Sequence, residues 1–427
     1  MAVVLCTTLG GCMNGIGGGL GSAPGDGAEV TRSSPRNFFQ PEGKTQSATI
    51  SNLQARQSVL MPGSSYDQIA KSVLAASSRP AEAELTAAKL RARAADKNWL
   101  PTLGPQVSLD SLGELVASLV VDQVLYDNGR KKAEREFARA DVEAAAVNLS
   151  VDTNDRVHTG LELYLKAEEA REKAAAADRA LGQMREFDRI MTARVNGGVS
   201  DMSEQNVIRA KLSELQSTYD SQMQNAKTSL AELSAMSASD VTGVKGTSDV
   251  KDPSRGQPLT VLLAEAELSR DVAQAKIDRA GLLPGLAARG EIGGTGKAGL
   301  MMTSDQGFGF GTMDNLAAVK AARDGAERRI AQAQEDSRRR QAALTQKLIS
   351  LKRREKQAES LVGQARANTD LFKRQFNAGQ RTVMDVVGVV ENLSRLEQEH
   401  VSVRYEIART EVEAAREFGL LVNGSEI

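Results

Sequence analysis

Histidine is the side chain best suited to acid–base and metal chemistry near neutral pH, and the sequence contains two. His158 and His400 each fall on the apolar seam of a predicted helix, with no cysteine or second histidine nearby in the sequence. We therefore interpret both as packing or surface residues. The two cysteines, Cys6 and Cys12, lie within the first twelve residues. Their position predicts neither a disulfide framework nor a thiolate metal site.

A glycine-rich stretch at residues 293–298 superficially resembles a phosphate-binding loop. That motif needs a further glycine at the position of Glu291 and a Ser or Thr at the position of Ala298, so the pattern fails. Arginine clusters at 328–329 and 338–340 alternate with acidic residues in a helical pattern, which is typical of a solvated helix face. Because no nucleophile–base pair or paired carboxylates are evident either, we predict no enzyme, no cofactor and no metal.

The composition favours long packed helices. Charged residues make up 26% of the 427 residues and nearly balance, giving a net charge of -1, whereas aromatic residues are only 4%. Such a surface is typical of extended helices rather than of several compact cores. The balanced charge gives no support for nucleic-acid binding.

Two short turns punctuate the predicted helices. Gly197 and Gly198 can end a helix in the left-handed conformation, and Asp201 followed by Glu204 has the spacing of an acidic capping box. The same pattern returns about 180 residues later, and such a return indicates a tandem repeat. There Gly379, Thr382 and Asp385 match Gly198, Asp201 and Glu204 in one register.

Long helices flank both turns. The sequence predicts helices over 129–195 and on to 234 in the first repeat, and over 315–377 and 382–421 in the second. Apolar residues step by three and four, which favours coiled-coil packing. A helix over 129–195 is roughly 100 Å long. A tube that spans a wide compartment needs this length, and a globular core does not.

Between a proline breaker and each long helix the apolar period changes from helical to alternating. Pro101 and Pro284 begin predicted β-hairpins at about 101–126 and 284–313, with Leu119 and Val120 on opposite faces. Strands of about ten alternating residues fit transmembrane β-strands. A soluble hairpin packed on the helices remains the alternative, and no apolar run reaches the length of a membrane helix.

The remaining segments complete the domain prediction. Residues 1–11 are interpreted as a signal segment, and Leu9-Gly10-Gly11-Cys12 resembles a lipobox that would lipidate Cys12, although a basic n-region is missing. Residues 12–63 are predicted to be a flexible tether. The other divisions are 64–236 for the first repeat, with one helix over 64–96, 237–257 for a linker, 258–422 for the second repeat and 423–427 for a tail.

Together these features resemble the TolC-like family of bacterial outer-membrane export ducts. The most specific matches are the Leu-Pro breakers at 100–101 and 283–284, the stretch 125–129 and the two turns. The resemblance implies a mainly α fold with membrane β, in which trimers close one twelve-stranded barrel above a periplasmic helical tunnel. Four strands per chain are too few to close a barrel. Three copies fit this limit, and two are excluded only by the resemblance.

The resemblance also implies roles for the turns. Glu204, Phe376, Arg381 and Asp385 occupy the positions of the gate links and acidic ring, with Phe376 where a tyrosine is common. Gly388 replaces a second acid. The resemblance further implies that the turn residues contact the adaptor: Gly197, Gly198, Asp201, Gly379 and Thr382.

The predicted function is passive export. The expected partners are two further copies of the chain, a periplasmic adaptor (membrane fusion protein), an inner-membrane ABC or RND transporter, and outer-membrane lipid. The second turn resembles those of ducts for type I protein secretion, which favours that cargo over small molecules. The alternative function is an envelope-attached coiled-coil scaffold without transport.

Overall fold

The structure, a computed structural model, describes residues 47–77, 80–109, 115–251, 253–292, 298–303 and 311–426. The predicted signal segment, Cys12 and most of the predicted tether lie outside these residues. In chain order the elements are α1 (Ala48–Gln54), α2 (Ser65–Ala75), α3 (Pro80–Asp96), β1 (Thr102–Leu109), β2 (Leu115–Tyr126), α4 (Arg130–Asn196), α5 (Met202–Ala235), α6 (Leu259–Gly281), β3 (Gly285–Ile292), β4 (Ala298–Thr303), α7 (Thr312–Asn377) and α8 (Val383–Glu417).

Two long helical hairpins dominate the fold and have nearly equal dimensions. α4 has 67 residues and α7 has 66, and their returning partners α5 and α8 have 34 and 35. At 1.5 Å per residue, α4 and α7 are each about 100 Å long. The predicted pair of long helical hairpins is therefore present. Within the described residues, no helix is both long enough and apolar enough to cross a bilayer.

The hairpins are joined where α4 packs antiparallel against α8. Along the interface, higher residue numbers on α4 pair with lower residue numbers on α8, so the two helices are antiparallel. Four ion pairs follow the interface: Asp155–Arg416 at 2.6 Å, Glu169–Arg409 at 2.5 Å, Glu172–Arg404 at 3.1 Å and Arg179–Glu397 at 2.7 Å. The hydroxyl of buried Tyr405 also donates to Glu172 at 2.8 Å. Packing and polar contacts therefore fix the relative register of the two repeats.

The four strands form one antiparallel sheet in the order β1-β2-β3-β4. Leu119 pairs with Pro105 on one side and with Ile292 on the other. Directly paired residues project to the same side of a sheet. The pairing therefore collects apolar side chains of both hairpins on one face, which we call the apolar face: Leu103, Val107, Ala117, Leu119, Val121, Leu286, Ala288, Ile292, Leu300 and Met302.

The opposite face of the sheet is more polar. Arg289 on β3 forms an ion pair with Asp122 on β2 at 2.6 Å, and Val120 lies beside Glu291 in the register. The alternation predicted from the sequence is present in both hairpins. The second hairpin is shorter in the described residues than predicted, because β4 ends at Thr303 and residues 304–310 lie outside the description.

The single helix predicted over 64–96 is two helices, α2 and α3. Pro80 is the first residue of α3, and residues 78–79 lie outside the description. Proline lacks an amide hydrogen and suits the first position of a helix rather than its interior. Pro80 therefore marks the start of a second helix, which the alanine-rich pattern concealed.

The last part of the predicted tether, residues 47–63, is ordered and packs against the C-terminal end. Leu53 in α1 is buried, and the amide of Val59 donates to the carbonyl of Leu420 at 2.9 Å. Arg56 is buried and donates to the carbonyls of Phe418 and Gln257, the second at 2.8 Å. Burial lowers the pKa of Arg56 to about 10. These contacts correct the tether prediction, because composition does not reveal a contact so distant in sequence.

Arg56→Ala should lower the free energy of unfolding by about 2 kcal/mol, because it leaves the carbonyls of Phe418 and Gln257 buried without their charged donor. Equilibrium denaturation followed by circular dichroism measures the change. Arg91→Ala is the matched control, since this side chain is 73% exposed and 3.9 Å from Asp141, and its effect should stay below about 0.5 kcal/mol. Equal losses in the two variants would contradict the role of Arg56.

Candidate functional site

Both hairpin turns lie at the same end of the α4–α8 interface. Here the two hairpins share a cluster of buried side chains, which we call the tip core: Ala180, Leu181, Met184, Phe187, Met191, Ile208, Leu215, Phe376, Val383, Val386, Val387 and Val390. Lys211 on α5 also pairs with Glu391 on α8 at 2.9 Å. The predicted turn residues are therefore brought together on one apolar support.

The two turns have the same backbone geometry. Gly198 and Gly379 adopt φ values of 70° and 74°, while Gly197 stays at -83°. The amide of Val199 donates to the carbonyl of Arg194 at 2.9 Å, and the amide of Gln380 repeats this bond at 2.8 Å in the second turn. This pattern is a Schellman motif, which requires one left-handed residue. Of the two glycines in the first turn, only Gly198 serves this purpose.

The helices that leave the turns are capped differently. Thr382 and Asp385 form a complete capping box: the amide of Asp385 donates to the Thr382 hydroxyl at 3.2 Å, and the amide of Thr382 donates to Asp385 at 3.1 Å. Asp201 accepts from the amides of Ser203 and Glu204 at 2.5 and 3.3 Å. Among the contacts of the described residues, Glu204 makes no reciprocal bond to Asp201, so the first box is only half formed.

These hydrogen bonds favour the ionised carboxylates. The bonds from Thr382 lower the pKa of Asp385, and the bonds from Ser203 and Glu204 lower the pKa of Asp201. A carboxyl whose pKa is depressed on folding stabilises the fold above its unfolded pKa, and this contribution is lost as the pH falls through the folded value. At neutral pH both turns therefore present negative charge at the tips.

Phe376 is a member of the tip core and not an exposed gate residue. Its side chain is 2% exposed, and its ring meets that of Phe187 edge to face with centroids 5.9 Å apart. The Arg194 guanidinium lies over the Phe376 ring, 4.9 Å from its centroid. The structure therefore corrects the placement predicted from the resemblance. A ring held on both sides supports the turn rather than linking neighbouring tips.

Arg381 is exposed at the tip and is held by its own helix hairpin. Its Nε donates to the side-chain oxygen of Gln375 at 3.2 Å, and its guanidinium lies 4.5 Å from the centroid of the Phe372 ring. Within the described chain no ion pair joins Arg381 to Glu204, so the predicted link between them is not formed in one subunit. Asp385 is near enough for the charge of Arg381 to lower its pKa slightly.

Sequence reasoning missed two residues of this site. Phe187 and Phe372 support the tip core and Arg381, yet neither belongs to a turn motif. Phe372 could have been found, because it lies four residues before Phe376 and shares one face of the helix with it. The rotation of α4 that brings Phe187 against Phe376 is a tertiary property that no local pattern contains.

The structure does not bring together the other candidates for chemistry that lie in the described part of the chain. Within the described residues, no three His, Cys, Asp or Glu side chains are placed to hold a metal. His158 is half-buried between α4 and α8, and burial lowers its pKa, with the charge of Arg416 acting in the same direction. In the arginine clusters, Arg329 pairs with Asp271 and Arg339 with Asp336. Residues 293–297 of the failed phosphate loop lie outside the description.

Solved structures with similar folds include outer membrane channels. The chain resembles a membrane protein from Pseudomonas aeruginosa with a TM-score of 0.72 and 15% identity, covering 89% of this chain and 96% of that one. The CmeC outer membrane channel of Campylobacter jejuni matches with a TM-score of 0.70 and 14% identity, covering 90% of this chain and 94% of that one. The MtrE outer membrane channel of Neisseria gonorrhoeae in its open state matches with a TM-score of 0.67 and 15% identity, covering 87% of this chain and 96% of that one.

These likenesses establish the fold. No family model and no curated protein match the sequence. The long hairpins and the small sheet are nevertheless those of TolC-like channels, which confirms the predicted mainly α fold with tandem long helical hairpins and two β-hairpins per chain.

Thr382→Ala should destabilise the first turn of α8 by about 1 kcal/mol, because the Ala side chain cannot accept the hydrogen bond that the amide of Asp385 donates. Hydrogen exchange followed by mass spectrometry should show faster exchange at residues 383–386 at neutral pH. Thr218→Ala is the control, since the Thr218 hydroxyl donates only to the carbonyl of Glu214 in its own helix. Unchanged exchange in Thr382→Ala would contradict the capping role.

Proposed function

We propose that this chain is one subunit of a passive export duct in a bacterial outer membrane. Three copies would close a twelve-stranded barrel above an α-helical tunnel in the periplasm. The tips would meet a periplasmic adaptor (membrane fusion protein) and, through it, an inner-membrane ABC or RND transporter. The energy for transport would come from that transporter.

The apolar face of the sheet carries this proposal. Leu103, Leu119 and Leu300 are exposed on it, although a contiguous apolar surface is unfavourable in water. Both outer strands of the sheet, β1 and β4, have an edge without a strand partner within the described chain. Exposed edges cannot persist in lipid, because their amides and carbonyls would lack partners. Pairing β4 of one copy with β1 of the next satisfies both edges and turns every apolar face outward.

The scaffold alternative requires a helix over the apolar face. No helix packs against the sheet in the described part of the chain, where the strands contact one another and the helices contact helices. A soluble hairpin packed on the helices would bury Leu119 and Leu300, and both are exposed. The observation therefore favours the duct.

The class of cargo is a finer proposal. The second turn, with Arg381, Thr382 and Asp385, resembles those of ducts that serve type I protein secretion. We therefore favour a protein substrate over small molecules. Deleting the gene and comparing secreted protein with accumulation of small toxic compounds in the same strain separates the two classes.

Leu119→Arg should impair assembly, because an arginine on the lipid face costs about 2–4 kcal/mol per subunit near the bilayer midplane. Val124→Arg is the matched control, because Val124 is 39% exposed and Leu119 is 42% exposed. It places the charge on the opposite face of the same strand, two residues from the carboxylate of Asp122. The measurement is the yield of cross-linked trimer extracted from outer membranes with detergent.

Equal yields for the two variants would show that the apolar face does not meet lipid. Wild-type protein that leaves the membrane fraction without detergent would overturn the duct itself. A trimer that forms pores in planar bilayers supports it.

The gate is a separate proposal that rests on the tips. Arg381 is fixed by Gln375 and Phe372 within its own chain, and a threefold axis would place three copies around one aperture. Charge-assisted contacts contribute about 1.5–3 kcal/mol each, so three of them can bias a closed state. In the proposed trimer, Arg381 of one tip would pair with the carboxylate of Glu204 or Asp385 on a neighbouring tip.

Arg381→Ser should raise the single-channel conductance in planar bilayers without dissociating the trimer, because it removes the contacts that order the three tips. Arg189→Ser is the control, since Arg189 pairs with Glu186 one turn away on the same helix. In the same assay Asp385→Ala should weaken block by divalent cations. Unchanged conductance in Arg381→Ser would refute the gating role and leave the duct in place.

A further inference from the structure

An open cavity of about 390 Å³ lies along α8 where α4 and α7 flank it, between the tip core and the end of α8. His158 of α4 lines this cavity and is half-buried at the α4–α8 interface. Histidine is the side chain whose charge changes most readily near neutral pH. The cavity therefore places a titratable group at the contact that joins the two hairpins. Six lining residues are ionisable: His158, Glu162, Lys347, Glu406, Arg409 and Glu413.

The charges one turn away from His158 are already paired. Asp155, three residues before it on α4, binds Arg416 of α8 at 2.6 Å. Glu162, four residues after it, binds Lys166 of the same helix at 2.8 Å. Because each carboxylate already has a cation, neither is free to accept a second one without weakening the first pair.

The charges that face the cavity from α7 and α8 follow the same rule with one exception. Glu406 pairs with Lys347 of α7 at 3.4 Å, and Arg409 pairs with Glu169 of α4 at 2.5 Å. Within the described part of the chain, Glu413 makes no ion pair. A positive charge on His158 would thus meet one unpaired carboxylate, across an open cavity.

These surroundings favour the neutral imidazole. Burial lowers the pKa of His158, and the charge of Arg416 acts in the same direction. Glu162, Glu413 and Asp155 act in the opposite direction, and the net shift is still below the ordinary value of 6.5. In the folded chain His158 is therefore neutral at neutral pH and becomes charged only in acid.

We propose that the α4–α8 interface is acid-sensitive and that His158 is the residue that senses acid. Protonation places an imidazolium beside the Arg416 guanidinium, where both cations compete for Asp155. The interface around this pair is then weakened, whereas the tip core, which contains no ionisable side chain, is not. The proposal goes beyond the duct, because it concerns the packing of helices within one chain and holds whether or not the sheet meets lipid.

The direction of the pKa shift sets the pH window. A histidine whose pKa is lower in the folded chain contributes stability that is fully present above its unfolded pKa of about 6.5, and this contribution is lost as the pH falls through the folded value. Glu162, whose pKa the hydrogen bond from Lys166 lowers, acts in a more acid window. Burial raises the pKa of Glu417, so its protonation stabilises the fold and cannot cause a loss in acid.

The melting temperature of the purified full-length protein in detergent tests the proposal. Wild type should melt at a lower temperature at about pH 5.5 than at about pH 7.5, because the lower pH charges His158. His158→Gln, whose amide does not titrate, should lose most of this difference. His400→Gln is the matched control and should keep it, since His400 lies outside the cavity.

Hydrogen exchange followed by mass spectrometry locates the effect. After correction for the intrinsic rate, segments 152–165 and 404–417 should exchange faster at about pH 5.5 than at about pH 7.5 in wild type, and segment 383–390 of the tip core should not. His158→Arg carries its charge at both pH values. It should show the faster exchange at about pH 7.5 already.

An acid loss in His158→Gln equal to that of wild type would overturn the proposal. So would a wild-type protein that melts at the same temperature at both pH values, or one in which acid speeds exchange only outside the two facing segments. If His158→Arg does not fold, the comparison of wild type with His158→Gln still decides. None of these measurements requires a pore, so a negative result leaves the duct in place.

Discussion

The antiparallel packing of α4 against α8 is the contact on which the rest of the structure depends. It joins two hairpins that have no covalent connection near their tips, and it is held by buried side chains and by pairs such as Glu169–Arg409 and Arg179–Glu397. α4 runs from the tips to β2, whereas α8 has 35 residues and ends beside Asp155, part-way along α4. The α4–α8 interface therefore brings the two turns onto one tip core. Closer to the sheet, α6 packs against α4, with Lys276 paired to Glu136 at 2.6 Å, and this contact brings β2 beside β3. Ion pairs at this depth contribute more to register than to net stability.

Each turn is fixed by hydrogen bonds of its own, and the buried tip core joins the two turns of one chain. A Schellman glycine and a cap are formed by residues within one short segment, so each turn keeps its shape whatever its neighbours do. Arg381, by contrast, is held by a side-chain amide and by one face of an aromatic ring. Because the tip core includes side chains of both hairpins, the two turns of one chain form a single packed unit.

The sequence predicts this fold to the extent that its signals are local. Proline breakers, left-handed glycines, caps and apolar periods are each contained in a few residues, so helix lengths, both turns and the alternation of the strands could be predicted. The failures involve contacts between distant segments. Phe376 occupies a turn motif but is buried against Phe187 of another helix. Arg56 lies in a region of tether-like composition but is bound to Phe418. Composition and periodicity do not contain the rotation of a helix or the return of a chain end.

The hydrogen bond from Arg56 to the carbonyl of Phe418, which we call the clasp, also determines which contacts can form first during synthesis. The two residues are 362 positions apart, so during synthesis Arg56 emerges long before the carbonyl that accepts its hydrogen bond. Until then the guanidinium and the surface around Leu53 remain in water, and the first repeat can form its hairpin without closing its base. A chain interrupted within α8 never completes the clasp. The burial of this one guanidinium therefore depends on the polypeptide being complete as far as Phe418.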